Sequence, residues 1–264
     1  MDMHLVGGGL ASGTGVGAWL AAGAVFLLAG GIKGLVGLGL PTVAMALLAL
    51  WMAPAQAAAL LVVPSLVTNA WQLRPLATLW PLARRLAGMQ AGTVAGTLLG
   101  ALAFGAPAGA ASGVLLGVAL VVYAAWGLAG RPWQVPPAQE RWLGPAVGMA
   151  TGLVTALTGV FILPAVPYLQ ALGLQRDALV QAMGIAFTTS TMALAAGLLL
   201  APAAAGTPHT LPAAASLVLL LPALAGMALG QRLRQRLPVA VFRRCLFASL
   251  AALGTYMVVR VALA

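Results

Sequence analysis

The stretch Gly30-Gly31-Ile32-Lys33-Gly34-Leu35-Val36-Gly37-Leu38-Gly39-Leu40-Pro41 decides the fold. It lies inside an apolar run from Ala18 to Leu50 that would measure about 50 Å as one helix, against a bilayer hydrocarbon core of about 30 Å. A single straight crossing cannot use it. The glycines and Pro41 break the run around its one charge, Lys33, the only lysine in the chain. The pattern predicts a re-entrant segment of two half-helices, the second opened by Pro41, at a first-turn position where a missing N–H costs least. Such a break is tolerated at membrane depth only where it is buried in protein or lines a wet cavity.

Composition agrees with lipid as the main solvent. Of the 264 residues 62% are hydrophobic and 6% charged, with a mean hydropathy of +1.04, far too little charge for a soluble domain's surface. The net charge of +10 comes from arginines at segment ends, read as anchors at a membrane face rather than as a nucleic-acid surface. Cys245 is alone, which excludes an internal disulfide, and His4 and His209 are isolated near segment ends. No metal-ligand spacing exists, so no metal, no cofactor and no enzymatic activity are expected. Residues 1–17 form a Gly-rich tail without Lys or Arg, and no secretory signal peptide is expected there.

Apolar segments fall near 18–50, 55–73, 86–104, 109–128, 144–170, 178–200, 211–230 and 239–260. If all eight crossed, the arginines would divide evenly between the two faces, which gives no orientation. If 18–50 and 144–170 each return to their side of entry, Arg260 alone stays with the termini and the other arginines share the opposite, cytoplasmic face. Short-loop Lys/Arg bias selects the second topology. The expected fold class is therefore all-α: a polytopic membrane helical bundle of two pseudo-symmetric, inverted repeats, each a broken first segment followed by three crossing helices. Repeat 1 is residues 1–130, a linker spans 131–143, and repeat 2 is residues 144–264.

A shift of 123 residues supports the repeat. It places Leu40-Pro41 on Leu163-Pro164, Ser65 on Thr188 and Thr68 on Thr191, with Gly37 one residue from matching Gly159. Each proline would direct a helix N-terminus, with its free N–H groups, toward mid-membrane, and two such ends would hold an anion. Ser65, Thr68, Asn69 and Gln72 share one helix face, and Gln181, Gly184, Thr188 and Thr191 do so in the second half, with Thr189 and Ser190 adjacent. The spacings Gly92/Gly96/Gly100, Gly113/Gly117 and Gly226/Gly230 read as packing faces, which leave a homodimer open.

Lys33 has no cationic counterpart in the second half, and the only acids, Asp2, Glu140 and Asp177, fall in expected tails or loops. With no carboxylate at depth, the missing counter-ion is read as the substrate. The expected binding residues are Lys33, Gly34, Gly37, Gly39, Ser65, Thr68, Asn69, Gln72, Thr158, Gly159, Thr188, Thr189 and Thr191. The expected partners are a small anion and the bilayer. The expected function is a carrier moving anions outward as one repeat moves against the other. An anion channel and a non-transporting structural subunit are the alternatives.

At these residues the chain resembles the TauE/SafE, or sulfite exporter, family. The likeness is carried by Gly34-Leu35-Val36-Gly37-Leu38-Gly39-Leu40-Pro41, its weaker copy Thr158-Gly159-Val160-Phe161-Ile162-Leu163-Pro164, the stretch Pro64 to Gln72, and Pro167 to Leu174. The resemblance implies a bacterial inner-membrane protein of about eight membrane segments that moves small sulfur-containing or organic anions, such as sulfite or sulfonates. Many members carry consecutive glycines in each copy; here the first copy has them separated and the second has Gly159 alone.

Overall fold

A computed structural model describes residues 15–130, 134–201, 212–234 and 239–262. Asp2, His4, Arg131, His209 and Arg236 lie outside them. The described chain is all helical: α1 Gly15–Val36, α2 Leu40–Leu48, α3 Pro54–Gln72, α4 Leu79–Phe104, α5 Gly109–Ala129, α6 Pro137–Thr158, α7 Ala165–Ala171, α8 Arg176–Leu200, α9 Ala213–Leu233 and α10 Val239–Ala262. One 3₁₀ turn, Leu76–Thr78, leads into α4.

Both long apolar runs are broken where the glycines predict, but their arms are unequal. α1 and α6 have 22 residues each, whereas α2 has 9 and α7 has 7. A 22-residue helix is about 33 Å long, enough to cross a bilayer unaided. Each broken segment is therefore a full-length arm and a short return rather than two half-helices. Two helices also start earlier than the apolar pattern suggests. α4 takes in Arg84 and Arg85, and α6 begins at Pro137, in the first-turn position proline favours, with Glu140 near the positive end of its dipole.

Six of the described helices are long and apolar enough to span a membrane: α1, the 3₁₀ turn with α4, α5, α8, α9 and most of α10. α3 and α6 miss that threshold because polar residues occupy their buried faces, Ser65, Thr68, Asn69 and Gln72 in one and Thr151, Thr155 and Thr158 in the other. Large apolar side chains on the outside, among them Leu20, Leu28, Leu99, Leu221 and Met192, are exposed as a lipid-facing surface requires.

Helix pairs from different halves make the closest contacts. A Cβ on Gly30 or Gly34 of α1 would strike the backbone of Ala223 or Met227 of α9, and one on Gly226 or Gly230 would strike Leu27 or Gly31. The register rises together in both helices, so α1 and α9 run parallel. Gly92, Gly96, Gly148 and Gly152 lock α4 against α6 in the same parallel way, through Pro145, Met149, Met89 and Thr93. α5 and α10 cross antiparallel, with Gly117 on Gly254 and Gly127 against the ring of Phe247. Small residues permit this approach, which in lipid supplies the packing that hydrophobicity cannot. Gly113 is a correction to the expected packing faces: open space surrounds it.

The bundle has two distinct ends. At one, Arg260 donates to the Leu50 carbonyl (3.2 Å), and the α2–α3 link, the start of α5 and the end of α10 surround a shallow cavity. At the other lie Val36 and Leu38, the end of α5, α7 and the start of α8, with Arg234 and Arg243. The Val135 N–H donates to the Ala171 carbonyl there, and Arg85 pairs with Glu140. α1 thus leaves the Arg260 end and α2 turns back toward it, while α6 leaves the other end and α7 returns. Among the described residues, every arginine except Arg260 belongs to this second, arginine-rich end.

Candidate functional site

α1 stops at Val36 because Gly37 (φ +85°) and Gly39 (φ +115°) adopt left-handed backbone conformations open to glycine. α2 restarts at once, with Pro41 in its first turn and no side-chain cap on Gly39. The opening N–H groups of α2 therefore have no partner within the helix. Lys33 sits in the last turn of α1, 2% exposed.

α3 supplies the opposite wall. Pro64 in its interior removes the N–H that would bond the Leu60 carbonyl, and Ser216 of α9 replaces it, donating to that carbonyl at 2.7 Å. The Val63 N–H donates in turn to the Ser216 hydroxyl at 3.2 Å. One turn on, the Thr68 hydroxyl donates to the Pro64 carbonyl at 2.6 Å, leaving its lone pairs for Lys33. The Lys33 ammonium donates to Thr68 Oγ1 at 3.1 Å and to Asn69 Oδ1. Gln72 Nε2 donates to the Gly37 carbonyl and fixes the break against α3.

Both acceptors of the buried ammonium are neutral. The one ion pair among the described residues, Arg85 with Glu140 at 2.6 Å, lies at the arginine-rich end. On the α3 face that holds Lys33 several buried polar atoms have no partner, Asn69 Nδ2, Ser65 Oγ and Gln72 Oε1; Thr42 Oγ1 at the start of α2 is also unpartnered but lies on the side of Tyr123, Val160 and Ile162. A buried charge without a counter-charge is costly, so this arrangement suits a site that receives an anion. Its donors would be the ammonium, the Asn69 amide and the first turn of α2.

The remaining expected residues are placed differently. Gly34 faces the α9 backbone and serves packing, while Gly37 and Gly39 form the break itself. Thr158 caps the second break, donating to the Val154 carbonyl (2.7 Å) and accepting the Val160 N–H (3.2 Å). Gly159 (φ +72°) sits against Met45 and Ala58. Thr188 and Thr191 donate to carbonyls of their own helix, at Gly184 and Phe187, both at 2.7 Å, and Thr189 is half-buried. Gly184 packs on Gln72, and Gln181 binds the carbonyls of Leu73 and Pro75, so α8 clasps the end of α3. The charge and the unpartnered groups nearest it thus belong to the first half.

Sequence reasoning missed Thr42, Ser216 and a cavity of 530 Å³ at the arginine-rich end, lined by Val36, Leu38, Arg176, Arg234 and Arg243 among others. Thr42 lies one residue beyond Pro41 in the quoted stretch and could have been read from the helix start. Ser216 could not, because only packing brings α9 to Pro64. No three His, Cys, Asp or Glu side chains among the described residues converge as metal ligands would.

A helical bundle with six described helices long and apolar enough to cross a bilayer defines a polytopic membrane protein. The family model described as sulfite exporter TauE/SafE matches residues 21–257, and the chain belongs to that family. No curated protein and no solved structure gives a significant match.

Proposed function

We propose that this protein is a secondary carrier that exports small organic or sulfur-containing anions, of which sulfite and sulfonates are the first to test, by alternating access around Lys33. The observation that carries the reading is the Lys33 ammonium, buried against Thr68 and Asn69 with no carboxylate, one turn before the Gly37 break. The family's description as sulfite exporters supports the chemistry of the substrate. The concentration of arginine at one end supports a bacterial inner-membrane orientation with that end cytoplasmic. An anion leaving a negative interior gains about 2.3 kcal/mol per charge per 100 mV, so export needs no coupling ion.

The helix pairing supports inverted repeats. Under the 123-residue shift α1 corresponds to α6 and α4 to α9, and the close pairs α1–α9 and α4–α6 exchange under that correspondence. The antiparallel α5–α10 pair fits the same inversion. A channel is the second reading, and the near-complete burial of Lys33 favours a carrier, since an open pore would leave the site wet. The test is anion efflux from proteoliposomes beside anion-dependent thermal stabilisation in detergent, for wild type and Lys33→Met. Saturable efflux and stabilisation by sulfite, both lost in the variant, are expected. Equal efflux from both proteins would remove the Lys33 site.

A further inference from the structure

The cavity at the arginine-rich end has walls that the Lys33 site lacks. Arg176 reaches it from the start of α8, Arg234 from the end of α9 and Arg243 from α10. Among the described residues none of the three has an ion-pair partner and no acidic residue lines the cavity. Anchoring at a membrane face explains arginines around a bundle, such as Arg84 and Arg244 outside this cavity, but not three from separate helices converging on one concavity. Gln134 and Gln170 add neutral hydrogen-bonding groups. Guanidinium groups are planar forks that match an oxyanion with two parallel hydrogen bonds, which a lysine cannot do.

Leu38, Trp126 and Phe247 supply apolar wall, and the volume of 530 Å³ falls in the range of pockets for organic ligands. A bare inorganic oxyanion is polar all round and gains nothing from such a wall. An oxyanion attached to a hydrocarbon body can place its head among the arginines and its body on the indole. Val36 and Leu38 flank the Gly37 break, one turn from Lys33, so an anion held here stands at the approach to the buried ammonium.

We infer that this cavity is a second anion site, a capture vestibule selecting sulfonates or carboxylates that carry an organic group over bare inorganic oxyanions. Its place on a transport path rests on the function proposed above; its binding does not. The test is calorimetric titration of butanesulfonate and of sulfite into the purified full chain in detergent. The proteins compared are wild type, Lys33→Met, Arg234→Gln/Arg243→Gln and Arg234→Lys/Arg243→Lys. Lys33→Met is expected to keep a butanesulfonate site tighter than its sulfite binding. The glutamine pair is expected to weaken that site about tenfold or more, as loss of charge-assisted bonds would, with the lysine pair in between. The lysine pair, which keeps the charge, decides the matter if the glutamine pair does not fold.

Unchanged affinity in the arginine variants would overturn the inference, as would equal binding of sulfite and butanesulfonate by Lys33→Met. Repeating the titration in nanodiscs separates a free anion from a lipid headgroup. If phosphatidylglycerol abolishes sulfonate binding and phosphatidylcholine does not, the cavity is a headgroup site and the inference fails. Wild-type efflux by Lys33→Met would sink only the Lys33 reading, with the cavity titration still legible.

Discussion

Asn69 turns its oxygen to Lys33 and leaves its amide N–H groups without a partner, so one side chain holds the cation and would have donors free for the proposed anion. Asn69→Asp places a carboxylate where the substrate's charge would sit. The internal pair is expected to abolish sulfite-dependent stabilisation in a thermal melt while the empty protein melts no lower than wild type. A fully retained sulfite response would contradict the missing counter-ion argument. Ser216 has a purely structural task, bonding the Leu60 carbonyl that Pro64 leaves open. Ser216→Ala is expected to destabilise the protein by about 1 kcal/mol, the usual worth of one such bond, without changing anion selectivity. Thermal unfolding and a competition titration read the two effects separately.

The helices hold together through glycine at backbone distance. A side chain on Gly148 would run into the Met89 carbonyl, a backbone atom that cannot step aside. Gly148→Val is expected to cost about 1–3 kcal/mol by overpacking, seen as a lower melting midpoint and poorer recovery in detergent. Gly113→Ala, at a glycine of similar spacing with nothing within 4 Å of its Cβ position, is expected to melt like wild type. Equal behaviour of the two variants would mean that the α4–α6 contact is not a tight seam.

For the whole molecule, the interlocked pairs change what can move. Rocking one entire repeat against the other, the motion expected from sequence, would shear α1 from α9 and α4 from α6 along their glycine contacts. The proposed carrier would move those pairs as units. Spin labels at Leu28 and Leu221, both on the outer surface, are expected to keep their separation when substrate is added, while Leu28 and Leu99 change theirs. The orientation is tested in a Cys245→Ser background. Arg141→Cys is expected to react with an impermeant maleimide from the cytoplasmic side only, and Arg260→Cys from the opposite side only.

The sequence by itself determined the solvent, the helical class, the places where the two long segments break and the end at which arginine gathers. Each depends on local chemistry: apolar run length, glycine and proline backbone preferences, and the cost of moving a guanidinium through lipid. It also placed Lys33 and the stripe Ser65, Thr68, Asn69 and Gln72 on faces that could meet, because helical periodicity is written in the spacing. Only the tertiary structure decided that Asn69 and Thr68 hold the ammonium, that Gly34 serves packing, and that Thr188 and Thr191 bond to their own helix. Only the tertiary structure brought Arg176, Arg234 and Arg243 to one cavity. Those outcomes depend on which helices approach one another, 35 residues apart in the chain for Lys33 and Thr68 and far more for α1 on α9, and no local pattern encodes that choice.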